Sequence, residues 1–199
     1  MSERTSDTVR PLREDSPEAL AVRAQRGSRD AFAALVEAMH ARLHSFIVRR
    51  TGCPHEAEDV CQEAFIRAWE RLSTYHPKWR FSTWLFTIAG RIAISRARTR
   101  RPTAALSSAE PSPATPPPGV DSSIWTLVDR ELSGESAAAL WLKYGEGMEA
   151  AEIARVLGKT EGGVRVMLHR ARGALARHIE PDGSPAVPSV PLAVVRGGS

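Results

Sequence analysis

The sequence has few of the residues that would cross-link a chain or hold it in a membrane. Only Cys53 and Cys61 occur among 199 residues, so no disulfide framework can form, and reduced thiols suit a cytoplasmic location. Apolar runs such as 84–90 and 187–195 are short or interrupted, well below the roughly 20 residues that cross a bilayer. Residues 1–20 contain no apolar stretch typical of a secretory signal. These features predict a cytoplasmic protein without membrane insertion.

Charge is unevenly distributed along the chain. The composition, 42% hydrophobic and 25% charged, is that of a soluble globular protein, and the net charge is only +4. Segment 91–101, however, carries five arginines and no acid, and segment 165–178 carries four arginines, two histidines and no acid. Both segments indicate surfaces that face an anion, above all a phosphate backbone. The alternative is that these arginines merely solvate helix faces.

Proline divides the chain into domains. Of 14 prolines, six lie in 102–118 and four in 181–191, where neither a regular helix nor a sheet is expected. No segment shows the alternating pattern of a strand, so we predict an all-α fold of two small helical domains. The predicted divisions are a disordered N-terminus at 1–20, a first domain at 21–101, a flexible Pro-rich linker at 102–121, a second domain at 122–180 and a disordered tail at 181–199.

Three helices are predicted in the first domain. Apolar residues from Phe32 to Ile47 recur at helical spacing, and Gly52 ends this first helix. A second helix has a buried stripe from Cys61 to Leu72 that includes Trp69. A third helix begins at Ser82 or Thr83, either of which can cap it.

The second domain has the pattern of a helix-turn-helix between residues 149 and 176. A short helix stops at Gly158, and Thr160 can cap the next helix. The side chains of this second helix that are predicted to be buried are Val164, Leu168, Ala171 and Leu175. Val166, His169 and Arg170 then face outward with Arg165 on the flank, an arrangement suited to base edges. An ordinary αα-hairpin is the alternative.

Aromatic residues are concentrated before the first basic segment. Seven of the twelve lie in 65–86, and Tyr75, Trp79 and Phe81 alternate with Lys78 and Arg80. Aromatics interleaved with cations are typical of a surface that stacks unpaired bases while holding phosphate. Core packing remains the alternative for each ring.

A further candidate surface is the acidic face of the second helix, which carries Asp59, Gln62 and Glu63. Ile66 also lies on this face. An exposed isoleucine with a charged rim indicates a protein interface, although a single exposed apolar residue can also be incidental.

Three segments resemble those of one protein family. Residues 59–69, 81–89 and 152–172 are similar to the core-polymerase-binding helix, the promoter-melting segment and the C-terminal helix-turn-helix of bacterial extracytoplasmic-function (ECF) sigma factors of the sigma-70 family. The resemblance covers roughly 30–102 and 122–180, in the family's order.

The resemblance implies a non-catalytic subunit of RNA polymerase without a cofactor. Its partners would be core polymerase and promoter DNA, and an anti-sigma factor is a further candidate. The core-polymerase-binding residues would be Asp59, Val60, Gln62, Glu63 and Ile66. The residues for the −10 element and melting would be Trp79, Arg80, Phe81, Ser82, Thr83, Trp84, Arg91, Ser95 and Arg98. The residues for the −35 element would be Thr160, Arg165, Val166, His169, Arg170 and Arg172.

Some residues depart from the family pattern or favour another class. Glu149 is a poor N-cap, and Gly162 with Gly163 should weaken the start of the recognition helix by about 1 kcal/mol each. Cys53, His55 and Cys61 offer at most three zinc ligands and no CxxC pair. No catalytic constellation is visible, and a helix-turn-helix regulator that works without polymerase is the nearer rival.

Overall fold

The computed structural model describes residues 16–99 and 122–178, and every regular element in these two ranges is helical. The first domain contains α1 (Pro17–Gln25), α2 (Arg29–Thr51), α3 (Pro54–Glu70), a 3₁₀ turn (Leu72–Thr74) and α4 (Phe81–Thr99). The second contains α5 (Ser122–Glu131), α6 (Gly134–Leu140) with a π turn (Trp141–Gly145), α7 (Ala150–Leu157) and α8 (Glu161–Ala176). The all-α prediction is confirmed, whereas the predicted linker and C-terminal tail lie outside the described residues.

Helix α2 is the centre of the first domain and packs against α1, α3 and α4. The apolar stripe predicted for it is confirmed: Leu35, Met39 and Phe46 are fully buried. Its end is also as predicted, because Gly52 adopts a left-handed conformation with φ of 71°. By length and composition α2 is apolar enough to cross a membrane, but its apolar face forms the core of the bundle.

The N-terminal boundary differs from the prediction. Residues 17–20 were expected to be disordered, yet α1 begins at Pro17 and Leu20 is buried in the core. The side chain of Ser16 accepts a hydrogen bond from the Ala19 N–H at 3.2 Å, and proline occupies the first helical position. This is a favourable helix start, and Leu20 supplies the apolar anchor that makes it stable.

The start of α4 also differs from the prediction, which had Ser82 or Thr83 as the cap. The helix begins at Phe81, whose N–H donates to the Glu18 carboxylate at 3.0 Å. A side chain from α1 therefore satisfies the exposed donor at the start of α4. Ser82 and Thr83 are instead buried within the first turn.

The second domain contains the predicted helix-turn-helix. Helix α7 ends at Gly158 in a left-handed conformation, and the Thr160 hydroxyl caps α8 by accepting from the Gly163 N–H at 3.2 Å. The buried face predicted for α8 is confirmed at Val164, Leu168, Ala171 and Leu175. Glu149 was expected to cap α7 poorly, but the start of this helix has an additional hydrogen bond. The Glu152 carboxylate accepts from the Glu149 N–H at 2.9 Å.

The two domains pack directly against each other, α6 on α2 and α7 on α4. Two glycines allow this close approach. A Cβ atom added at Gly90 of α4 would lie 2.3 Å from the Val156 carbonyl oxygen of α7. One added at Gly134 of α6 would lie 2.8 Å from the Arg49 carbonyl oxygen of α2. Backbone meets backbone at both places, so the fit requires residues without side chains.

Candidate functional site

The outer face of α3 presents a mixed acidic and apolar surface. Asp59 and Gln62 are exposed, Glu63 is half-buried, and the Ile66 side chain is 59% exposed. Val60, which was predicted to share this surface, is fully buried because it falls on the side of the helix that faces the core. Of the five residues predicted to bind core polymerase, Val60 alone is therefore inaccessible in this structure.

Arg96 of α4 partly neutralises this acidic face. Its guanidinium lies 2.7 Å from a carboxylate oxygen of Glu63 and 3.7 Å from one of Asp59. Arg67, one turn along α3, also pairs with Glu63. A partner that bound these acids would compete with Arg96 for them.

Trp69 extends the apolar part of the same surface. The sequence pattern placed Trp69 in the buried stripe, but 41% of its side chain is exposed. Its ring packs edge-on against Phe32 of α2, with centroids 4.8 Å apart. The exposure of Trp69 could have been predicted from its position three residues after Ile66, because this spacing puts both side chains on one face of the helix. The surface formed by Asp59, Gln62, Glu63, Ile66 and Trp69 is called the α3 face below.

Most of the aromatic rings in and beside the loop before α4 belong to the hydrophobic core. Tyr75 and Phe81 are buried, and the Tyr75 hydroxyl donates to the Trp79 carbonyl at 2.7 Å. Burial raises the pKa of Tyr75 above its usual range. Phe81 and the half-buried Trp84 pack against Tyr75, each with a centroid 5.4 Å from its ring. Of the two interpretations left open for each ring, core packing therefore applies to Tyr75 and Phe81 in this structure.

Trp79 is the exposed ring of this loop, with 51% of its side chain accessible. The guanidinium of Arg155, from α7, lies 5.2 Å from its ring centroid. The neighbouring Arg80 donates to the backbone carbonyls of Glu146 and Gly147 at 3.2 and 3.1 Å. Trp79 and Arg80, which were predicted to contact DNA, thus contact the second domain in this structure.

Two further groups of predicted DNA residues are accessible. On α4, Arg91, Ser95 and Arg98 are exposed at spacings of four and three, which place them along one flank. On α8, the exposed residues are Arg165, Val166, His169, Arg170 and Arg172. Val166 is 49% exposed, and Arg165 pairs with Glu161 one turn earlier.

The cysteines do not form a metal centre in the described ranges, where no group of three or more potential ligands converges. Cys61 is fully buried, and burial raises the pKa of its thiol to about 12. A buried thiol in apolar surroundings is chemically inert.

Comparison with known proteins agrees with this two-domain arrangement. Residues 35–103 match Sigma-70 region 2, and residues 130–175 match Sigma-70, region 4. The chain is 34% identical over 167 residues to the ECF RNA polymerase sigma factor SigL of Mycobacterium tuberculosis, covering 75% of this chain and 91% of SigL. It is 33% identical to BldN of Streptomyces coelicolor, covering 82% of this chain and 66% of BldN.

Solved structures show a similar fold. CnrH, in complex with the cytosolic domain of CnrY, matches with a TM-score of 0.56 and 28% identity, over 81% of this chain and 95% of CnrH. The sigma factor RpoE of Bartonella quintana, in complex with the anti-sigma factor NepR, matches with a TM-score of 0.55 and 21% identity, over 71% of this chain and 92% of RpoE.

Regions 2 and 4, carried by two helical domains in this order, define a sigma factor of the sigma-70 family. Within that family the chain belongs to the ECF RNA polymerase sigma factors, whose members are regulatory factors for promoter-specific transcription initiation. Its partners are accordingly core RNA polymerase and promoter DNA.

Proposed function

We propose that this chain is a non-catalytic, cytoplasmic subunit that attaches to core polymerase through the α3 face and reads promoters with both domains. The main support for this proposal is the α3 face, where Ile66 and Trp69 are exposed beside Asp59 and Gln62. An apolar centre with a polar rim is the usual anatomy of a protein interface. The acids there suit a basic partner surface, because electrostatic complementarity guides association.

The −10 element is assigned to the loop before α4 and to the exposed flank of that helix. Trp79 offers a half-exposed ring on which an extruded base can stack once it displaces the Arg155 guanidinium, and such stacking offsets part of the cost of opening the duplex. Arg91 and Arg98 would hold the adjacent phosphates. Phe81, Ser82 and Thr83 are buried, so their part in this proposal requires a change in their surroundings.

The −35 element is assigned to α8. Arg165 and His169 would read base edges, and Val166 would add an apolar contact such as one with a thymine methyl group. Arg170 and Arg172 would hold phosphate and contribute affinity without sequence preference. Thr160 would act indirectly by capping the helix.

An anti-sigma factor is proposed as a further partner. The similar chain CnrH was solved in complex with the cytosolic domain of CnrY, and RpoE was solved in complex with the anti-sigma factor NepR. The exposed apolar residues of the α3 face would be available to such a protein in the free chain.

The deciding experiment is run-off transcription with core polymerase, this protein and a library of genomic promoter fragments. We expect a limited set of promoters to yield transcripts only when the protein is present. A regulator that works without polymerase would instead bind duplex fragments alone and add no transcripts to core polymerase, and that result would overturn the proposal.

Two half-exposed tryptophans allow the two interfaces to be separated. Trp79→Ala should leave core binding unchanged but reduce promoter opening by about tenfold or more, the loss expected when one base–aromatic stacking contact is removed. A pre-melted template should restore transcription. Trp69→Ala is the matched control, because it should weaken core binding while a pre-melted template restores little. Permanganate footprinting measures opening, and a normal bubble with Trp79→Ala contradicts the −10 assignment.

A further inference from the structure

The acids of the α3 face are held by an arginine from another helix. Arg96 lies on α4, and the buried residues Ile92 and Ala93, one turn earlier, anchor that helix in the core against which α3 also packs. The Nη2 atom of Arg96 is 2.7 Å from a carboxylate oxygen of Glu63, and its Nη1 atom is 3.7 Å from one of Asp59. One guanidinium therefore bridges two residues of the surface assigned to core polymerase.

The two contacts of Arg96 differ in kind. The contact with Glu63 is a charge-assisted hydrogen bond, whereas the longer contact with Asp59 is an ion pair alone. The side chains of Arg96, Glu63 and Asp59 are 36%, 29% and 68% exposed. Ion pairs with this much exposure stabilise a fold only weakly. A partner can therefore replace Arg96 without unfolding α3 or α4.

Arg96 also has room to leave the acids. A cleft of about 560 Å³ opens between the start of α3 and the end of α4, and it is lined in part by Asp59, Ser95 and Arg96. The guanidinium can turn into this cleft by rotation of its own side chain, so neither helix has to move. Glu63 then keeps Arg67, one turn along α3, as its counter-charge.

A basic partner surface meets two obstacles at this site. Arg96 neutralises part of the negative charge that attracts such a surface, and its own positive charge repels the cations of the partner. Charges at the rim of an interface act mainly on the association rate and on its salt dependence. Arg96 should therefore slow the attachment of a basic partner to the α3 face.

We propose that Arg96 is an internal competitor of core polymerase for Glu63 and Asp59, and that it holds the affinity of the α3 face below the value that these acids alone would give. The inference rests on the proposed function, because it concerns the surface assigned to polymerase. It also has a sign that a structural role does not share. If Arg96 only held α3 against α4, its removal would distort the face and weaken attachment, whereas removal of a competitor strengthens attachment.

The first test measures the binding of full-length Arg96→Gln to core polymerase over a range of salt concentrations. Glutamine keeps much of the length of the side chain but carries no charge. At about 0.1 M salt we expect affinity to rise about two- to fivefold, the range that exposed ion pairs give, mainly through faster association. The gain should shrink as salt approaches 1 M, where the screening length is only about 3 Å.

Arg23→Gln is the matched control for the change in net charge. Arg23 is an exposed arginine on α1, which packs against α2, α4 and the 3₁₀ turn. This control should leave the affinity for core polymerase unchanged, and both variants should unfold at nearly the wild-type temperature. An affinity of Arg96→Gln at or below that of the wild-type chain would overturn the proposal, and so would an equal gain with Arg23→Gln.

The second test introduces Arg96→Gln into a chain that already carries Asp59→Asn and Glu63→Gln. Without these two acids Arg96 has nothing to withhold from polymerase, so the gain in affinity should vanish. A gain of the same size in this triple variant would show that Arg96 acts by general repulsion, and it would overturn the role of Arg96 as a competitor for these acids.

The same series separates the role of Arg96 from the assignment of the α3 face. Asp59→Asn with Glu63→Gln should by itself weaken attachment to core polymerase. If that double variant bound as tightly as the wild-type chain, the α3 face would lose its assignment and the proposed function would fail. Weaker binding by the double variant, together with no gain for Arg96→Gln, would overturn only the inference about Arg96.

Discussion

The two cysteines have different environments, and their reactivity should differ accordingly. Cys61 is fully buried with a thiol pKa of about 12, whereas Cys53 is half-buried at the start of α3. Since the thiolate is the reactive species, iodoacetamide should modify one thiol of the native chain and the second only after denaturation. Mass spectrometry of the labelled peptides checks this.

The control is Cys53→Ser, which should leave no rapidly modified thiol in the folded protein. Rapid labelling of Cys61 under native conditions would contradict the burial described for α3. The comparison also measures how often the core of the first domain opens, because Cys61 becomes accessible only when α3 separates from its neighbours.

Single residues show how far sequence reasoning reaches. Ile66 and Val166 were predicted to be exposed on their helices and are, because helical periodicity alone determines the face. Trp69 was not placed correctly, and for Phe81 the sequence left core packing and base stacking both open. The exposure of Trp69 depends on its contact with Phe32 of α2, and that of Phe81 depends on its contact with Tyr75 in the loop before α4. The spacing of residues along one helix does not predict such contacts.

At the level of elements, α3 carries the most direct test of the polymerase interface. Ile66→Ala should weaken binding to core polymerase by about 2 kcal/mol or more if Ile66 is central, as expected for an interface hot spot. The same change should leave thermal unfolding nearly unaffected, because the side chain is 59% exposed. Fluorescence titration of labelled core polymerase measures the affinity.

Val166→Ala is the matched control for that substitution, since Val166 is a similarly exposed apolar residue on α8. It should leave core affinity unchanged and weaken binding to the −35 element. Equal core affinities for Ile66→Ala and the wild-type chain would remove the α3 face as the attachment surface.

The start of α8 contains two glycines whose surroundings differ. A Cβ added at Gly162 meets nothing within 4 Å, whereas one at Gly163 lies 3.1 Å from the hydroxyl oxygen of Thr160. Gly162→Ala should therefore stabilise the protein by up to about 1 kcal/mol, and Gly163→Ala should gain less because the capping hydroxyl must shift. Thermal unfolding of the two variants measures the difference, and a larger gain for Gly163→Ala would contradict the described cap.

The helices themselves were largely predictable, and their ends were less so. Gly52, Gly158 and Thr160 end or begin helices as predicted, because each acts through its own backbone or a neighbour three or four residues away. The cap of α4 was missed because Glu18 lies 63 residues before Phe81 along the chain. Local patterns do not contain information about such long-range caps.

For the whole molecule, the sequence predicted two helical domains but not their contact. Arg49 looks in the sequence like any basic residue at the end of a helix. No residue close to it along the chain indicates that Trp125 and Trp141 enclose its side chain. Gly90 was an ordinary glycine within a helical pattern. The interface between the domains depends on the shapes of two separately folded surfaces, and local sequence patterns do not determine those shapes.

Helix α1 also has a consequence for how this protein can be divided into fragments. The similarity to Sigma-70 region 2 begins at residue 35, but the Gln25 amide donates at 2.7 Å to the carbonyls of both Leu72 and Tyr75. Together with the Glu18 cap on α4, this contact braces the loop that carries Trp79. A fragment cut at the start of the family match should retain α2, α3 and α4 yet lose this brace, and hydrogen exchange should show faster amide exchange at residues 75–81 than in a fragment that begins at residue 16.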